Sequence, residues 1–348
     1  MVAPTRQPFV SIVLPVRNEA RFIAACLDSI LASTYPRDRM EILVAEGMSE
    51  DRTRAIVAQY AARHREIRVI DNPRRIVPSG LNAAIRVAVG DVILRVDAHA
   101  LYPPDYVNKL VAELEASGAD NVGGVQITLP SAATPIARAI ARGLAHPMGV
   151  GNAYFRTGSA RPRWVDAVPF GCYRREVFER IGFFDEEMLR NEDDEFNFRL
   201  RRHRGRILLV PTVTCYYFAR ATLEKLARQF YQYGYWKPFV ARKVGGVRTV
   251  RQVVPGLSLV SLAAAALAGV WWGASRIATL ALIGSYTAMV LGSAVGVARR
   301  DGLRCGLAFV AVLPVLHGSY GLGYLLGSLH FWLPPLRRFI PTAVPLVR

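Results

Sequence analysis

Apolar and polar positions repeat on two different periods along this chain, and the change of period divides it. Residues 9–16, Phe-Val-Ser-Ile-Val-Leu-Pro-Val, form one continuous β-rich run, the pattern of a strand buried on both faces. Residues 20–33 then place apolar side chains at helical spacing and stop before Pro36. The same alternation predicts strands over 41–45, 67–70 and 91–96 and helices over 49–63 and 79–89. Strands alternating with helices imply a parallel, doubly wound α/β sheet. Ligands of such sheets gather at the carboxyl ends of the strands, and the strand at 91–96 runs directly into Asp97. Beyond about Gly118 the pattern is less regular, and residues 153–163, rich in Gly, Arg and Pro, read as a flexible loop that closes over substrate.

A third pattern begins near residue 222. Residues 222–243 mix Phe230, Tyr231, Tyr233, Tyr235, Trp236 and Phe239 with Lys and Arg, which predicts an amphipathic helix lying in a membrane interface. Three stretches without Asp, Glu, Lys or Arg follow, at 253–272, 277–297 and 305–335. Each reaches the roughly 20 residues that cross a hydrocarbon core of about 30 Å. The expected organisation is a catalytic domain over 1–221, an interfacial region over 222–250, and a transmembrane region over 251–348 with about three spans, 253–272, 277–297 and 306–332. The third run is ambiguous, since Pro314 and His317-Gly318 break it and allow either one span with an interfacial end or a re-entrant hairpin. Gly323-x-x-x-Gly327 favours close packing against another helix, so three spans is the expectation.

Charge refines this picture. Hydrophobic residues make up 52% of the 348, and mean hydropathy is +0.20, yet almost every acidic residue lies before position 225. Much of the formal charge of +17 sits beside the apolar stretches, in Arg242, Lys243, Arg248 and Arg251, and again in Arg299, Arg300 and Arg304. Membrane lipids with anionic headgroups are the expected partner, with the catalytic domain cytoplasmic on a multi-pass protein of the plasma (inner) membrane. A nucleic-acid role would need basic and aromatic residues interleaved on the soluble part, and here that mixture abuts the membrane, so no nucleic acid is expected. The N-terminus shows no basic leader with an apolar core and cleavage site, so export is not expected. Cys26, Cys172, Cys215 and Cys305 have no metal-type spacing and read as buried thiols in a reducing compartment.

Three polar constellations carry candidate chemistry. Pro15, Arg17, Asn18 and Glu19 leave the first strand and Glu46-Gly47-Met48-Ser49-Glu50-Asp51 leaves the second, so two polar loops at adjacent strand ends make a nucleotide pocket, although Asn and Ser before helices often serve as caps. In Arg95-Val96-Asp97-Ala98-His99, Asp97 and His99 are two potential ligands one residue apart, able to face a Mg²⁺ or Mn²⁺ that bridges a diphosphate. Asn191-Glu192-Asp193-Asp194-Glu195 sets four carboxylates ahead of a helical pattern. Acidic residues in a first turn can simply complement the helix dipole. Four adjacent ones repel, which raises the pKa of at least one and favours a site that binds a cation or removes a proton.

Taken in order along the chain, these segments resemble glycosyltransferase family 2 over roughly residues 9–239. The resemblance implies the GT-A fold, a doubly wound mixed sheet, here followed by C-terminal transmembrane helices. It also implies that Pro15, Arg17, Asn18, Glu19, Glu46, Asp51, Asn82 and Asp97 hold a nucleotide-sugar donor, with Glu46 and Arg52 standing where the family usually has Asp and Gly. Gly80-Leu81-Asn82 and Gly90-Asp91 are similar to the segment before the family's Asp-x-Asp, whose place Asp97-Ala98-His99 takes, with His99 as second metal ligand. Glu192-Asp193 resembles the Glu-Asp pair whose Asp is the general base, which assigns that role to Asp193 with Asp194 in reserve. Residues 170–185 are similar to the acceptor-side segment. Gln232, Tyr235 and Trp236 resemble the Gln-x-x-Arg-Trp signature that closes processive synthases, but Tyr235 replaces the Arg. Within the family the chain resembles bacterial exopolysaccharide glycosyltransferases of the succinoglycan type.

The implied activity is a metal-dependent, inverting transfer of a sugar from a nucleotide-sugar, a UDP-hexose being the expected donor, to a polyprenyl-diphosphate-linked saccharide. Two other readings are a processive β-glycan synthase, and a membrane scaffold that binds a nucleotide sugar without turnover.

Overall fold

The computed structural model describes residues 7–247 and 249–333. Arg248, which entered the charge argument, lies outside the described residues. The chain divides into two compact units, one comprising the segment up to Ile127 with Tyr154–Tyr217, the other Thr128–Ala153 with everything from Phe218 onward.

The first unit is built on a nine-stranded mixed sheet. β1 (Val10–Val16), β2 (Met40–Glu46), β3 (Ile67–Asp71) and β4 (Val92–Arg95) are parallel, and every residue of β1, β2 and β4 is buried. The continuous apolar run thus behaves as a central parallel strand should. Pro15 is tolerated there because the β1–β4 ladder ends at Val13↔Arg95, beyond which less is asked of its missing N–H. The connecting helices are α1 (Ile23–Leu31), α2 (Thr53–Arg63) and α3 (Val77–Val87). Gly90 precedes β4 because a Cβ there would meet the backbone N of Ser11 at 2.5 Å. Ser11 Oγ accepts from Gly90 N at 2.8 Å and donates to the buried Glu41 carboxylate at 2.6 Å, so the approach is fixed by hydrogen bonds.

Past β4 the sheet turns antiparallel. β5 (Ala100–Leu101), α4 (Tyr106–Ser117) and β6 (Asn121–Pro130) come first. An excursion follows through α5 (Pro135–Leu144), α6 (Pro147–Val150) and α7 (Tyr154–Thr157) to β7 (Arg163–Trp164). β8 (Cys172–Arg174), α8 (Arg175–Ile181), α9 (Glu192–Arg202) and β9 (Ile207–Ala219) complete the unit. The order across the sheet is β3-β2-β1-β4-β8-β6-β9-β5, with β7 beside β9. β8 pairs antiparallel with both β4 and β6, and β9 returns antiparallel to β5, with Ala100 opposite Tyr217. This irregular half escaped the sequence pattern because its strands are short and paired at long range. All four cysteines are buried free thiols, as expected.

The second unit is helical: α10 (Leu223–Val244), α11 (Val254–Ala268), α12 (Gly273–Asp301) and α13 (Leu303–Trp332), with α5 and α6 joined to them. The grouping differs from the expected division at one segment. Thr128–Ala153 groups with these helices, since Ile140 and Leu144 of α5 pack in one core with Phe309, Val312 and Leu313 of α13. α10 packs along α13, with Leu226 and Phe230 in that same core. The Gly323-x-x-x-Gly327 pattern does mark a close helix contact: a Cβ on Gly323 or Gly327 would overlap the carbonyl oxygens of Tyr231 or Tyr235 on α10. α13 runs unbroken through Pro314 and His317, so no re-entrant hairpin forms there. Of the three expected spans, two helices, Gly273–Asp301 and Leu303–Trp332, are long and apolar enough to cross a membrane, whereas Val254–Ala268 has 15 residues.

The α10–α13 approach yields a direct test. Gly327→Leu should destabilise the folded protein by about 1–3 kcal/mol or more through overpacking. Gly284→Ala, on α12 where an added Cβ meets nothing within 4 Å, should be neutral or slightly stabilising. Thermal unfolding in detergent checks both, and an unchanged midpoint for Gly327→Leu would contradict the packing.

Candidate active site

Two loops at the carboxyl ends of β1 and β2 are laced together by their own polar groups. Asn18 takes a left-handed φ of 53°. Its backbone N donates to Ser49 Oγ at 2.9 Å, and its side-chain oxygen accepts from Glu50 N at 2.9 Å. Glu19 N donates to Thr53 Oγ1 at 2.7 Å, and Ala20 N donates to Asp51 Oδ2 at 3.1 Å. These bonds hold residues 20–22 and 49–52 out of their helices, so α1 and α2 begin later than the apolar spacing predicts. Burial opposes ionisation of Asp51, but bonds from Thr53 and Ala20 outweigh it and hold the carboxyl below its usual value. Arg17 pairs with Glu50 at 3.1 Å.

Glu46, at the end of β2, is fully buried. Its carboxylate accepts from Ser49 N at 2.8 Å, Met48 N at 3.1 Å and Arg54 Nη1 at 2.8 Å. Arg54 also bonds Asp71 at 2.8 Å, so the longer acid found here in place of Asp comes with a guanidinium partner of its own. Asn82 is equally committed. Its amide donates to Phe184 O at 2.8 Å and accepts from Phe184 N at 3.0 Å, and Glu186 is 2.9 Å away. Both ends of this 1%-exposed amide hold the 184–186 loop to α3, which leaves it the work of a clamp.

Asp97 and His99 follow β4. Tyr102 Oη accepts from Asp97 N at 2.8 Å and lies 3.2 Å from its carbonyl oxygen, which fixes the turn. His99 Nδ1 lies 3.1 Å from Glu19 Oε1. Burial disfavours the imidazolium, but Glu19 outweighs it and raises the His99 pKa. Glu19, expected to touch the donor, is thus the carboxylate that orients His99. With Nδ1 turned to Glu19, Nε2 is the ring nitrogen left to face a ligand, the arrangement found where a carboxylate backs a metal-binding histidine. Among the described residues no group of three or more His, Cys, Asp or Glu gathers to hold a metal. One carboxylate and one imidazole fit a Mg²⁺ or Mn²⁺ that takes its remaining ligands from a diphosphate and water.

The four carboxylates of α9 are sorted by burial. Asn191, with a left-handed φ of 61°, opens the helix, and Phe196 anchors it by stacking on Phe184 with centroids 4.4 Å apart. Glu195 is paired with Arg199 at 2.8 Å, and Arg199 also donates to Phe183 O. Glu192 is buried and accepts from Arg95 Nη2 at 2.9 Å. Asp193 and Asp194 are only partly buried. The repulsion expected of four adjacent acids is therefore relieved in pairs by two arginines, leaving the two aspartates on the accessible side.

Arg95 is the residue that sequence reasoning passed over. At the end of a wholly buried strand, its Nε lies 3.5 Å from Asp97 Oδ1 while Nη2 holds Glu192. Burial works against its charge, but Asp97, Glu192 and Asp193 overwhelm that and raise its pKa. An arginine in the run Val92-Ile93-Leu94-Arg95 was the available signal, since a buried charge demands a partner. One guanidinium thus ties the Asp97–His99 pair to the acidic helix. Gln232, Tyr235 and Trp236 lie on α10 in the helical unit, where Tyr235 and Trp236 pack on Phe331 and Gln232 is buried.

Known proteins resemble this chain in sequence and fold. The family model "Glycosyl transferase family 2" matches residues 11–182. The chain is 32% identical to the succinoglycan biosynthesis protein ExoA of Rhizobium meliloti over 317 residues, 90% of this chain and 93% of that protein. It is 25% identical over 244 residues to a dolichyl N-acetyl-alpha-D-glucosaminyl phosphate 3-beta-D-2,3-diacetamido-2,3-dideoxy-beta-D-glucuronosyltransferase of Methanococcus voltae, covering 68% of this chain and 74% of that one. Among solved structures, the mannosyltransferase PcManGT from Pyrobaculum calidifontis, in complex with GDP-Man and Mn²⁺, superposes with a TM-score of 0.57 at 21% identity, covering 91% of this chain and 88% of that chain. S. aureus TarS 1-349 does so with a TM-score of 0.50 at 14% identity, covering 97% and 94%. At such identities these two speak for the GT-A fold alone. These sequence matches make this chain a member of glycosyltransferase family 2.

Proposed function

We propose that the protein is an inverting transferase that moves a sugar from a nucleotide-sugar to a lipid-linked saccharide in the synthesis of an exopolysaccharide. The observation that carries this reading is the Arg95 bridge, which joins Asp97, beside His99, to Glu192 at the start of the acidic helix that carries Asp193 and Asp194. Its relatives support it: one is named for succinoglycan biosynthesis, another for transfer to a dolichyl-linked sugar, and PcManGT was solved with a nucleotide sugar and Mn²⁺. In this mechanism Asp193 takes the proton of the acceptor hydroxyl as its oxygen attacks the anomeric carbon. The bond to the diphosphate breaks with its electron pair staying on the leaving group, and a single displacement inverts the configuration. Asp97 and His99 are the residues that would hold Mg²⁺ or Mn²⁺, whose charge offsets that of the diphosphate. Glu192 and Arg95 keep Asp193 placed, and the zipped loops after β1 and β2 form the wall against the nucleotide.

A membrane setting fits the helical unit. Leu257 and Leu267 on α11, Trp271 and Trp272 in the turn after it, and Ile277, Leu280 and Leu291 on α12 are all exposed. Residues 128–153 join two segments of the catalytic unit. Arg142 of α5 pairs with Asp301 at 2.6 Å, which sets the α12–α13 turn, with Arg299, Arg300 and Arg304, beside α5, and the positive-inside rule puts such a turn on the cytoplasmic side. α13 then packs on α5, on Met148 through His317 Nε2 at 2.7 Å, and on α10, whose Lys225, Arg228, Arg242 and Lys243 are exposed. We infer that residues 253–272, α11 with its flanks, and α12 enter the bilayer as a hairpin, with Trp271, Trp272 and Arg276 at the far interface; α13 passes the test of length and packs on α12 through Tyr286 and His317 as well as on α5 and α10.

Two experiments check these readings. In donor calorimetry with Mn²⁺ present, Asp193→Asn should bind nearly as wild type while transfer falls about 100-fold or more, the scale of a lost general base. His99→Ala should weaken the Mn²⁺-dependent part of donor binding. Near wild-type transfer by Asp193→Asn would move the base to Asp194, and full activity in excess EDTA would remove the metal from the account.

For topology, single cysteines at Ser275 and Gly302, in a chain with Cys26, Cys172, Cys215 and Cys305 replaced, are probed with an impermeant thiol reagent. Ser275 should label on intact cells and Gly302 only after permeabilisation. The reverse pattern contradicts the hairpin.

A further inference from the structure

Of the three arginines in the stretch after α6, Arg156, Arg161 and Arg163, the first and last have different surroundings. Arg163 is satisfied: its Nε donates to Ser159 Oγ at 3.0 Å, and its guanidinium lies 4.5 Å from the Tyr154 ring centroid. Arg156, on α7, is held by aromatic rings instead, 5.2 Å from the Tyr217 centroid and 5.5 Å from that of Phe155. Its Nη1 is buried with no hydrogen-bond partner among the described residues. A buried donor without an acceptor costs about 1–3 kcal/mol, and native proteins keep few of them without a use.

The position of that nitrogen supplies the use. Tyr217, against which Arg156 rests, is also in edge contact with His99, their centroids 5.2 Å apart. Tyr217 lies opposite Ala100 in the β5–β9 ladder, one residue past His99. Two residues earlier on β9, Cys215 feels both groups: burial pushes its thiol up to about 12, with Asp97 adding to the rise and Arg156 opposing it. His99, next to Asp97, and a cation whose buried Nη1 has no hydrogen-bond partner among the described residues therefore rest on one aromatic ring. Cation–π contact orients a guanidinium without using its N–H donors, which stay available for an anion.

We propose that Arg156 binds the diphosphate of the nucleotide, donating to an oxygen that gains charge when the bond to the sugar breaks. The proposal rests on the nucleotide-sugar transferase reading above. The proton of the acceptor goes to Asp193, the electron pair of the broken bond stays on the nucleoside diphosphate, and Arg156 neutralises part of the result without changing its own protonation. Charge-assisted hydrogen bonds of this kind are the strong ones, and a planar guanidinium suits a diphosphate better than a point charge does. The segment read from sequence as a closing loop would then carry a specific phosphate contact at its start.

The test is calorimetric binding of UDP, GDP and their monophosphates to the full-length protein in detergent, with and without Mn²⁺. Arg156→Met should weaken binding of the preferred nucleoside diphosphate by about 10- to 100-fold, the worth of one charge-assisted bond. Its monophosphate should change much less, so that preference for the second phosphate collapses. Arg156→Lys should recover part of that preference, which a purely structural arginine would not show. Equal diphosphate binding by wild type and Arg156→Met overturns the proposal alone, as does a loss seen only in the acceptor KM, which would assign Arg156 to the lipid-linked substrate. If the wild-type protein binds none of the four nucleotides, the transferase reading falls together with the proposal.

Discussion

A single buried guanidinium sets the terms for the catalytic unit. Arg95 ends a strand with no exposed residue, where an unpaired charge would cost several kcal/mol. Its two acidic neighbours, Asp97 and Glu192, are almost a hundred positions apart in sequence and belong to opposite halves of the site. Satisfying Arg95 therefore requires that α9 be brought to the end of β4. The Phe178, Phe184 and Phe196 stack does this from below, and Asn82 clamps the loop that leads into it. Folding and assembly of the site are one event here, because the core residue that needs neutralising is neutralised by site carboxylates.

The same economy recurs around it. Glu19 lies at the end of β1 but serves His99 at the end of β4, and Asp51 caps the backbone of α2 while holding the loop after β1. Residues that resemble donor ligands by motif are thus also the framework of the loops they stand in. Motif position says that a residue matters to a pocket; only its partners say whether it touches the ligand or holds something that does. Arg54, which shares Glu46 and Asp71, belongs to that framework and carries no motif.

The parallel half of the sheet was legible because strands buried on both faces produce apolar runs that local periodicity reveals. Asp97, His99 and the acidic segment were legible because strand ends and like-charge clusters are local features. Arg95 and Arg156 were not, since their roles arise from pairings with Glu192 and Tyr217 that connect distant segments. The grouping of Thr128–Ala153 with the C-terminal helices was hidden for the same reason: nothing within α5 announces that Phe309 and Val312 will cover it. Glycine spacing, by contrast, encoded a tertiary contact directly, because absence of a side chain is what Tyr231 and Tyr235 require of Gly323 and Gly327.

The most direct measure of this account is an unfolding cycle on Arg95 and Glu192. Arg95→Met leaves Glu192 buried beside an apolar chain and should cost about 3–5 kcal/mol, as breaking a buried pair does. Arg95→Met combined with Glu192→Gln removes both charges and should recover a large part of that loss, giving a coupling energy of at least about 1 kcal/mol. Strictly additive costs, or an Arg95→Met protein as stable as wild type, would mean that Arg95 does not bind the two halves of the site together.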